Sequence, residues 1–217
     1  MTTYKLNADT AKQGDKGSTQ YIDTTGEYTG IFTVAKQITA RSGTDGIEFT
    51  FQSDDGQVAR YLTIYTTKAD GTEVFGMGML HALMTCLKVR EIKSETITVE
   101  EWDNNARVKV PVDIENFTAL CNKHVGVLLQ KEYYTANTGD TKSKMTIAGF
   151  FDAASRLTAT EILEKVKEPK SLDVKLRGLK DKGTPGPVSS DHGFSDPAVK
   201  SQVAAASVDD LDSDIPW

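Results

Sequence analysis

The residues of this chain whose types and order most clearly suit binding to a partner are its last nine, D-D-L-D-S-D-I-P-W. Four acids without a base precede a short apolar end: Asp209, Asp210, Asp212 and Asp214, then Ile215, Pro216 and Trp217. Because terminal segments are rarely anchored, a Trp in this place is not expected to join a core. Acids beside an apolar anchor form a peptide that can bind a basic surface with an apolar pocket. This tip therefore predicts docking on a partner; the alternative is a tail that only increases solubility.

Two further groups of residues combine aromatic rings with cations. The first occupies one predicted strand and the turn after it: Arg60, Tyr61, Tyr65 and Lys68. The second surrounds a later predicted turn: Lys131, Tyr133, Tyr134, Lys142 and Lys144. Cations beside flat rings suit the phosphates and bases of a single-stranded nucleic acid. The alternatives are tyrosines that simply cover a sheet in the first group, since Tyr is a good strand former, and an ordinary polar hairpin in the second.

Residues that could catalyse a reaction or hold a metal form no familiar motif. The sequence has no phosphate-binding glycine loop and no nucleophile elbow. Its histidines and cysteines offer one zinc set, His81, Cys86, Cys121 and His124, but the first two do not share a helical face well. We therefore expect no enzyme activity, no metal and no cofactor.

Charge is distributed unevenly along the 217 residues. The chain carries −6 overall, but residues 183–217 hold six acids against Lys200 alone, a net of −5, so residues 1–182 carry −1. A near-neutral body can still have a basic groove if its acids lie elsewhere. No apolar run reaches the roughly 20 residues of a membrane helix, and the N-terminus lacks the apolar region of a signal peptide. Two cysteines without a C-x-x-C motif fit free thiols in a reducing cytoplasm.

Strand patterns dominate the elements that must position these side chains. Residues 28–36, 47–52 and 58–67 alternate apolar and polar side chains, the last two on either side of an Asp-Gly turn, and residues 73–88 change to helical spacing. Further strands are predicted at 96–102, 107–113, 125–134 and 144–151, before a capping box at Thr158–Glu161 and a helix that Pro169 ends. Three strands, a helix and more strands is the order of an OB-fold barrel, although other small barrels share it. From Gly183 the composition predicts a flexible linker.

The tip Asp212–Trp217 resembles the Asp-Asp-Asp-Ile-Pro-Phe end of bacterial and phage single-stranded-DNA-binding proteins, with Ser213 and Trp217 as the two departures. The body is similar to phage and prophage members of that family in three phrases: G-E-Y-T-G-I-F-T at Gly26–Thr33, G-I-E-F-T-F-Q-S-D-D-G-Q at Gly46–Gln57, and M-T-C-L-K-V at Met84–Val89.

This resemblance implies a mainly β OB-fold domain over residues 1–170 with one or two helices, a disordered linker over 171–208, and a partner-docking tip over 209–217. It implies non-sequence-specific binding of single-stranded DNA during phage DNA replication, recombination and repair in the bacterial cytoplasm. Replication or recombination proteins would dock on the tip. The family includes monomers, dimers and higher assemblies, so a homo-oligomer is allowed. Two alternatives stay open: an interaction adaptor whose barrel binds protein while its tail mimics the host's tip, and a strand-annealing protein.

Overall fold

The computed structural model describes residues 20–103, 107–136 and 138–184. Within them the chain forms seven strands, a 3-10 turn and three helices. In chain order these are β1 (Gly26–Thr39), β2 (Asp45–Ser53), β3 (Val58–Thr67), α1 (Phe75–Cys86), β4 (Glu95–Asp103), β5 (Val108–Asn116), the 3-10 turn (Thr118–Leu120), β6 (His124–Thr135), β7 (Thr141–Phe151), α2 (Ala159–Leu163) and α3 (Ser171–Gly178).

Five of the strands form a curved antiparallel sheet in the order β3-β2-β1-β6-β7. The two outer strands, β3 and β7, contact each other, so the sheet curls back on itself. The long strand β1 joins the two halves, because it pairs with β2 along Gly30–Thr39 and with β6 along Gly26–Ile31. Three strands, a helix and a closing hairpin are the expected elements of an OB-like barrel, and the predicted fold class, mainly β, is confirmed.

Aromatic side chains fill the centre of this barrel. The ring of Phe32 lies 4.7 Å from that of Phe49, 5.5 Å from that of Phe51 and 6.3 Å from that of Phe150, measured between centroids. All four rings are buried, which confirms the alternating pattern predicted for β2. Such tilted and edge-on pairs add to the free energy gained by burying the rings.

Helix α1 covers one side of the barrel, as its sequence spacing predicts. It buries Leu80, Leu83 and Cys86, and it approaches β3 so closely that a Cβ on Gly76 would lie 1.9 Å from the carbonyl oxygen of Tyr65. A glycine is therefore needed there despite its poor helix propensity. Burial raises the pKa of the Cys86 thiol to about 12, and Cys121 is also a buried free thiol. No helix in the described ranges is both long and apolar enough to cross a membrane.

Strands β4 and β5 form a hairpin that is added to the barrel at the end of β1. Lys36 on β1 pairs with Asn116 on β5, and the Asn116 side-chain oxygen accepts a 2.8 Å hydrogen bond from the Ala35 backbone N–H. Beyond this point β5 pairs with β4, so Pro111 lies where the other side of β5 is open. A strand position that is open on one side tolerates the missing N–H of proline.

The end of the body differs from its prediction. The capping box is present, since the Thr158 backbone N–H donates to the Glu161 carboxylate at 2.9 Å, but α2 ends at Leu163 instead of continuing toward Pro169. Helix α3 follows, and its Leu172 is buried against Leu128 and Phe151. Helix α3 thus lies within the range 171–208 that was predicted as linker, and it packs on the body through Leu172.

Glu161 connects these two helices. Its carboxylate also accepts 2.8 Å hydrogen bonds from the backbone N–H groups of Ser171 and Lys170. These bonds, with those from Thr158, lower the pKa of the buried Glu161 side chain to about 2. A carboxylate with several N–H donors is held in its charged form without needing a cation.

Candidate nucleic-acid interface

The first wall of the candidate site is a bulge in β3. Phe49 pairs with Leu62 and Phe51 with Ala59, so Arg60 and Tyr61 together face a single residue of β2. Tyr61 has a φ of 60°, in the left-handed region that bulky residues rarely adopt. As a result two successive side chains point outward, and Tyr61 is 74% exposed. Bulges of this kind re-aim side chains and are common next to functional sites.

The second wall is the hairpin of β6 and β7. Lys131 and Tyr134 lie on β6, and Lys144 lies on β7 with its ammonium 5.8 Å from the centre of the Tyr134 ring. The same ammonium is 3.4 Å from the carboxylate of Glu132. The Lys131 ammonium lies 5.6 Å from the centre of the Tyr133 ring. These distances are typical of cation–π contacts, which hold a cation and a flat face at one place.

The two walls enclose a groove of about 600 Å³. Three cations and one carboxylate line it, together with tyrosine rings and apolar side chains: Arg60, Lys131, Lys144, Asp23, Tyr21, Tyr61, Tyr134, Ile22, Val58, Ala59, Ser143 and Met145. The structure thus brings together five residues from two groups that lie far apart in the sequence: Arg60, Tyr61, Lys131, Tyr134 and Lys144. A net positive groove with exposed rings can hold a phosphate chain and stack its bases.

The other four predicted residues do not line this groove. Tyr65 is exposed further along β3, and Lys68 is exposed in the turn that follows. Tyr133 is half-buried, with its hydroxyl 3.5 Å from the Asp181 carboxylate, and Lys142 is exposed on β7 opposite Tyr134. The two predicted groups therefore contribute to the groove in part.

Tyr21 is a groove residue that sequence reasoning missed. Its segment runs beside β3, since Tyr21 forms a parallel bridge with Val58 and the Ile22 backbone N–H donates to the Val58 carbonyl at 3.0 Å. The Arg60 guanidinium carbon lies 5.8 Å from the centre of the exposed Tyr21 ring. A single Tyr in a polar stretch ahead of β1 gave no signal of this contact; only the tertiary fold brings it to Arg60.

Charge separates the two hairpins of the body. Residues 95–116, which hold β4 and β5, contain six acids and two bases, a net of −4; the acids are Glu95, Glu100, Glu101, Asp103, Asp113 and Glu115. Since residues 1–182 carry −1 in total, the remainder of that range carries +3. The β4–β5 hairpin is therefore the strongly acidic part of a near-neutral body.

Several sequence-level predictions fall elsewhere. The tip residues Asp209, Asp210, Asp212, Asp214, Ile215, Pro216 and Trp217 lie outside the described residues, as does most of the predicted linker. Of the four His and Cys side chains considered as zinc ligands, His124 lies with its Nε2 2.9 Å from the Asp54 carboxylate. In the part of the chain that the structure describes, no three metal-ligating side chains come together.

The fold and the groove define a class of protein in general terms: an OB-like barrel with a cationic, aromatic-lined groove. No protein-family model matches this chain. A search of curated proteins likewise finds none that matches it.

Proposed function

We propose that this chain binds single-stranded DNA without sequence preference, in the groove between the β3 bulge and the β6–β7 hairpin. The observation that carries the proposal is the joining of Arg60, Lys131 and Lys144 with Tyr61 and Tyr134 around one groove. In an OB-fold, the face of strands 2 and 3 and the loop of the last hairpin are the usual oligonucleotide contacts. The similarity of the body and the tip to phage single-stranded-DNA-binding proteins supports the same function.

In this proposal the cations bind phosphates and the rings stack on bases. Each ring is close to a cation. Lys144 lies over the Tyr134 ring, and Arg60 immediately precedes Tyr61 in β3. Stacking contributes about 1–3 kcal/mol per base and accepts every base, because each has a flat face. Phosphate contacts carry no sequence information either. Both kinds of contact therefore favour a protein that coats single strands during DNA replication, recombination and repair.

The acidic tip has a separate role in the proposal. Asp209 to Trp217 would dock on replication or recombination proteins, since they combine negative charge with an apolar anchor. A linker of about 25 residues also keeps an acidic peptide at high effective concentration near a basic groove. The tip would then compete with DNA until DNA binding frees it for a partner.

The experiment is fluorescence anisotropy of a labelled oligo-dT across a salt series, with the full chain and a version ending at Val208. The expected result is tight binding by the full chain that weakens steeply with salt, and tighter binding by the shortened version at low salt. An absence of salt-sensitive binding by both versions would contradict the proposal. That result would favour the alternative of a protein-interaction adaptor, because a cationic groove can also bind an acidic protein segment. Equal affinity of the two versions at low salt would contradict only the competition by the tip.

A further inference from the structure

The segment Lys180–Gly183 lies against β6 beside the groove, and we refer to it as the clasp. Beyond Gly26, β1 no longer covers the edge of β6, since Gly26 pairs with Leu129 at the end of their ladder. The clasp continues that edge: Lys182 forms a parallel bridge with Glu132. Its backbone N–H donates to the Lys131 carbonyl at 2.8 Å, and its carbonyl accepts from the Tyr133 N–H at 2.9 Å.

Side chains tie the clasp to the same stretch of β6. The Lys131 backbone N–H donates to the Thr25 hydroxyl at 2.9 Å, and that hydroxyl in turn donates to the Asp181 carboxylate. The other oxygen of Asp181 lies 3.5 Å from the Tyr133 hydroxyl. Both backbone polar groups of Lys131 are thus held, one through Thr25 and one directly by Lys182.

Gly183 fits this arrangement in a way that another residue would not. Its φ is +75°, and a Cβ added there would lie 2.8 Å from the Tyr133 carbonyl oxygen. Left-handed backbone and close approach to another chain segment are the two conditions that favour glycine. By contrast, a Cβ on Gly178, at the end of α3, would meet no atom within 4 Å.

We propose that the clasp is a positioning element for the groove, which holds Lys131 and Tyr133 in place so that the Lys131 ammonium faces the bound strand. The inference rests on the proposed function, because it assigns the clasp a role in the same site. Sites need their side chains held by a supporting layer of contacts, and without it they lose affinity even when every contact residue is present. None of the clasp residues lines the groove itself.

The test uses the full chain with Gly183→Ala, and Gly178→Ala as the matched control. Hydrogen exchange of the Lys182 and Tyr133 amides reports the clasp, and oligo-dT anisotropy across a salt series reports the groove. All measurements are made at a temperature where circular dichroism shows each variant fully folded. Gly183→Ala is expected to speed exchange at both amides and to weaken binding about three- to tenfold. Its salt slope should become shallower by about 0.7, the value for one phosphate contact on a single strand.

Gly178→Ala should match the wild type in every measurement. A second variant, Lys182→Pro, removes the N–H donor to Lys131 directly, with Lys182→Gln as its charge control. Fast exchange at Tyr133 in the wild type would overturn the inference, as would variants with an opened clasp that keep wild-type affinity and salt slope. If the wild type itself shows no salt-sensitive binding, the proposed function fails. If the wild type and the clasp variants bind DNA equally well, only the role of the clasp fails.

Discussion

The two late hairpins of this body have the same architecture and opposite charge. The β4–β5 hairpin carries −4, whereas the β6–β7 hairpin, His124–Phe151, holds three lysines and two acids for a net of +1. Each exposes an aromatic ring, Trp102 on β4 and Tyr134 on β6. Among the described residues, the β6–β7 hairpin faces the β3 bulge across a groove, and no residue of the β4–β5 hairpin lines that groove. An exposed ring is therefore a weak sign of a nucleic-acid site by itself, and the charge and shape around it decide what it can meet.

The acidic hairpin also neutralises cations near it. The Lys36 ammonium lies 2.8 Å from Glu101, and Lys109 lies 3.5 Å from Glu100. In the groove, Lys131 and Arg60 lie over tyrosine rings instead, and Lys144 lies both over the Tyr134 ring and 3.4 Å from Glu132. A cation over a ring keeps its full charge and can attract a phosphate, whereas the charge of a cation paired with a carboxylate is partly neutralised.

Reversing the groove charges should give the largest effect. Arg60→Glu, Lys131→Glu and Lys144→Glu combined are expected to weaken oligo-dT binding by more than about a hundredfold, because three phosphate contacts become repulsions. Anisotropy measures the affinity, and circular dichroism checks the fold. The control variant, Arg107→Glu with Lys109→Glu, reverses the two bases of the acidic hairpin and should change affinity by less than about twofold. Equal losses from both sets would remove the distinction between the hairpins.

Glu161→Gln should separate stability from binding. The amide has one acceptor oxygen where the carboxylate has two, so the part-buried N–H donors of Ser171 and Lys170 or the buried N–H of Thr158 lose a partner. The free energy of unfolding is expected to fall by about 2–3 kcal/mol, measured by urea unfolding at neutral pH. DNA affinity of the folded protein should not change. Neutralising exposed acids of the β4–β5 hairpin instead should leave stability nearly unaltered.

The contribution of Glu161 to the free energy of unfolding should depend on pH. The pKa of Glu161 falls from 4.5 to about 2 on folding, so its contribution to stability is complete above pH 4.5 and is lost as the pH falls toward 2. The difference in unfolding free energy between the wild type and Glu161→Gln should therefore shrink over that interval. A difference that stays constant from neutral pH down to pH 2 would contradict the low pKa.

Tyr61→Asn tests the ring at the bulge. Asn tolerates a positive φ, so the variant keeps the backbone while removing the stacking surface. The expected loss is about 1–3 kcal/mol of binding free energy. Tyr65→Thr, in the same strand but outside the groove, should lose much less. A larger loss from Tyr65→Thr than from Tyr61→Asn would move the site along β3.

The smallest effect is expected from the acidic hairpin. Glu100→Gln, Asp113→Asn and Glu115→Gln together remove three of its six acids. Their long-range repulsion of DNA is screened, so affinity should rise by only about two- to threefold at low salt and not at high salt. A larger gain that persists at high salt would mean that this hairpin touches the strand.

The barrel could be predicted from sequence because its signals are local. The alternation around Phe49, the Asp55–Gly56 turn and the helical spacing of α1 each depend on neighbours along the chain. The short helix α3 escaped prediction because its eight residues hold few apolar positions, and Leu172 finds Leu128 and Phe151 only in the folded body.

The site was less predictable than the fold for a physical reason. Five of the nine predicted residues line the groove, but nothing in the letters R-Y marks a left-handed φ at Tyr61, so the bulge that turns both side chains outward has no sequence signal. Tyr21 reaches Arg60, and Lys182 reaches Lys131, only through strand pairing between distant segments. Such contacts follow from the way the sheet curls and have no periodic signal in the sequence.

The most direct test of the groove is photocrosslinking of the full chain to an oligo-dT that contains 4-thiothymidine, followed by peptide mass spectrometry. The groove predicts crosslinks on peptides that contain Tyr21, Tyr61 and Tyr134, and their loss in the Arg60, Lys131 and Lys144 reversal variant. Trp102 is the internal control, since it is 58% exposed but lies on the acidic hairpin. Crosslinks concentrated at Trp102, or none at the three groove tyrosines, would contradict the account.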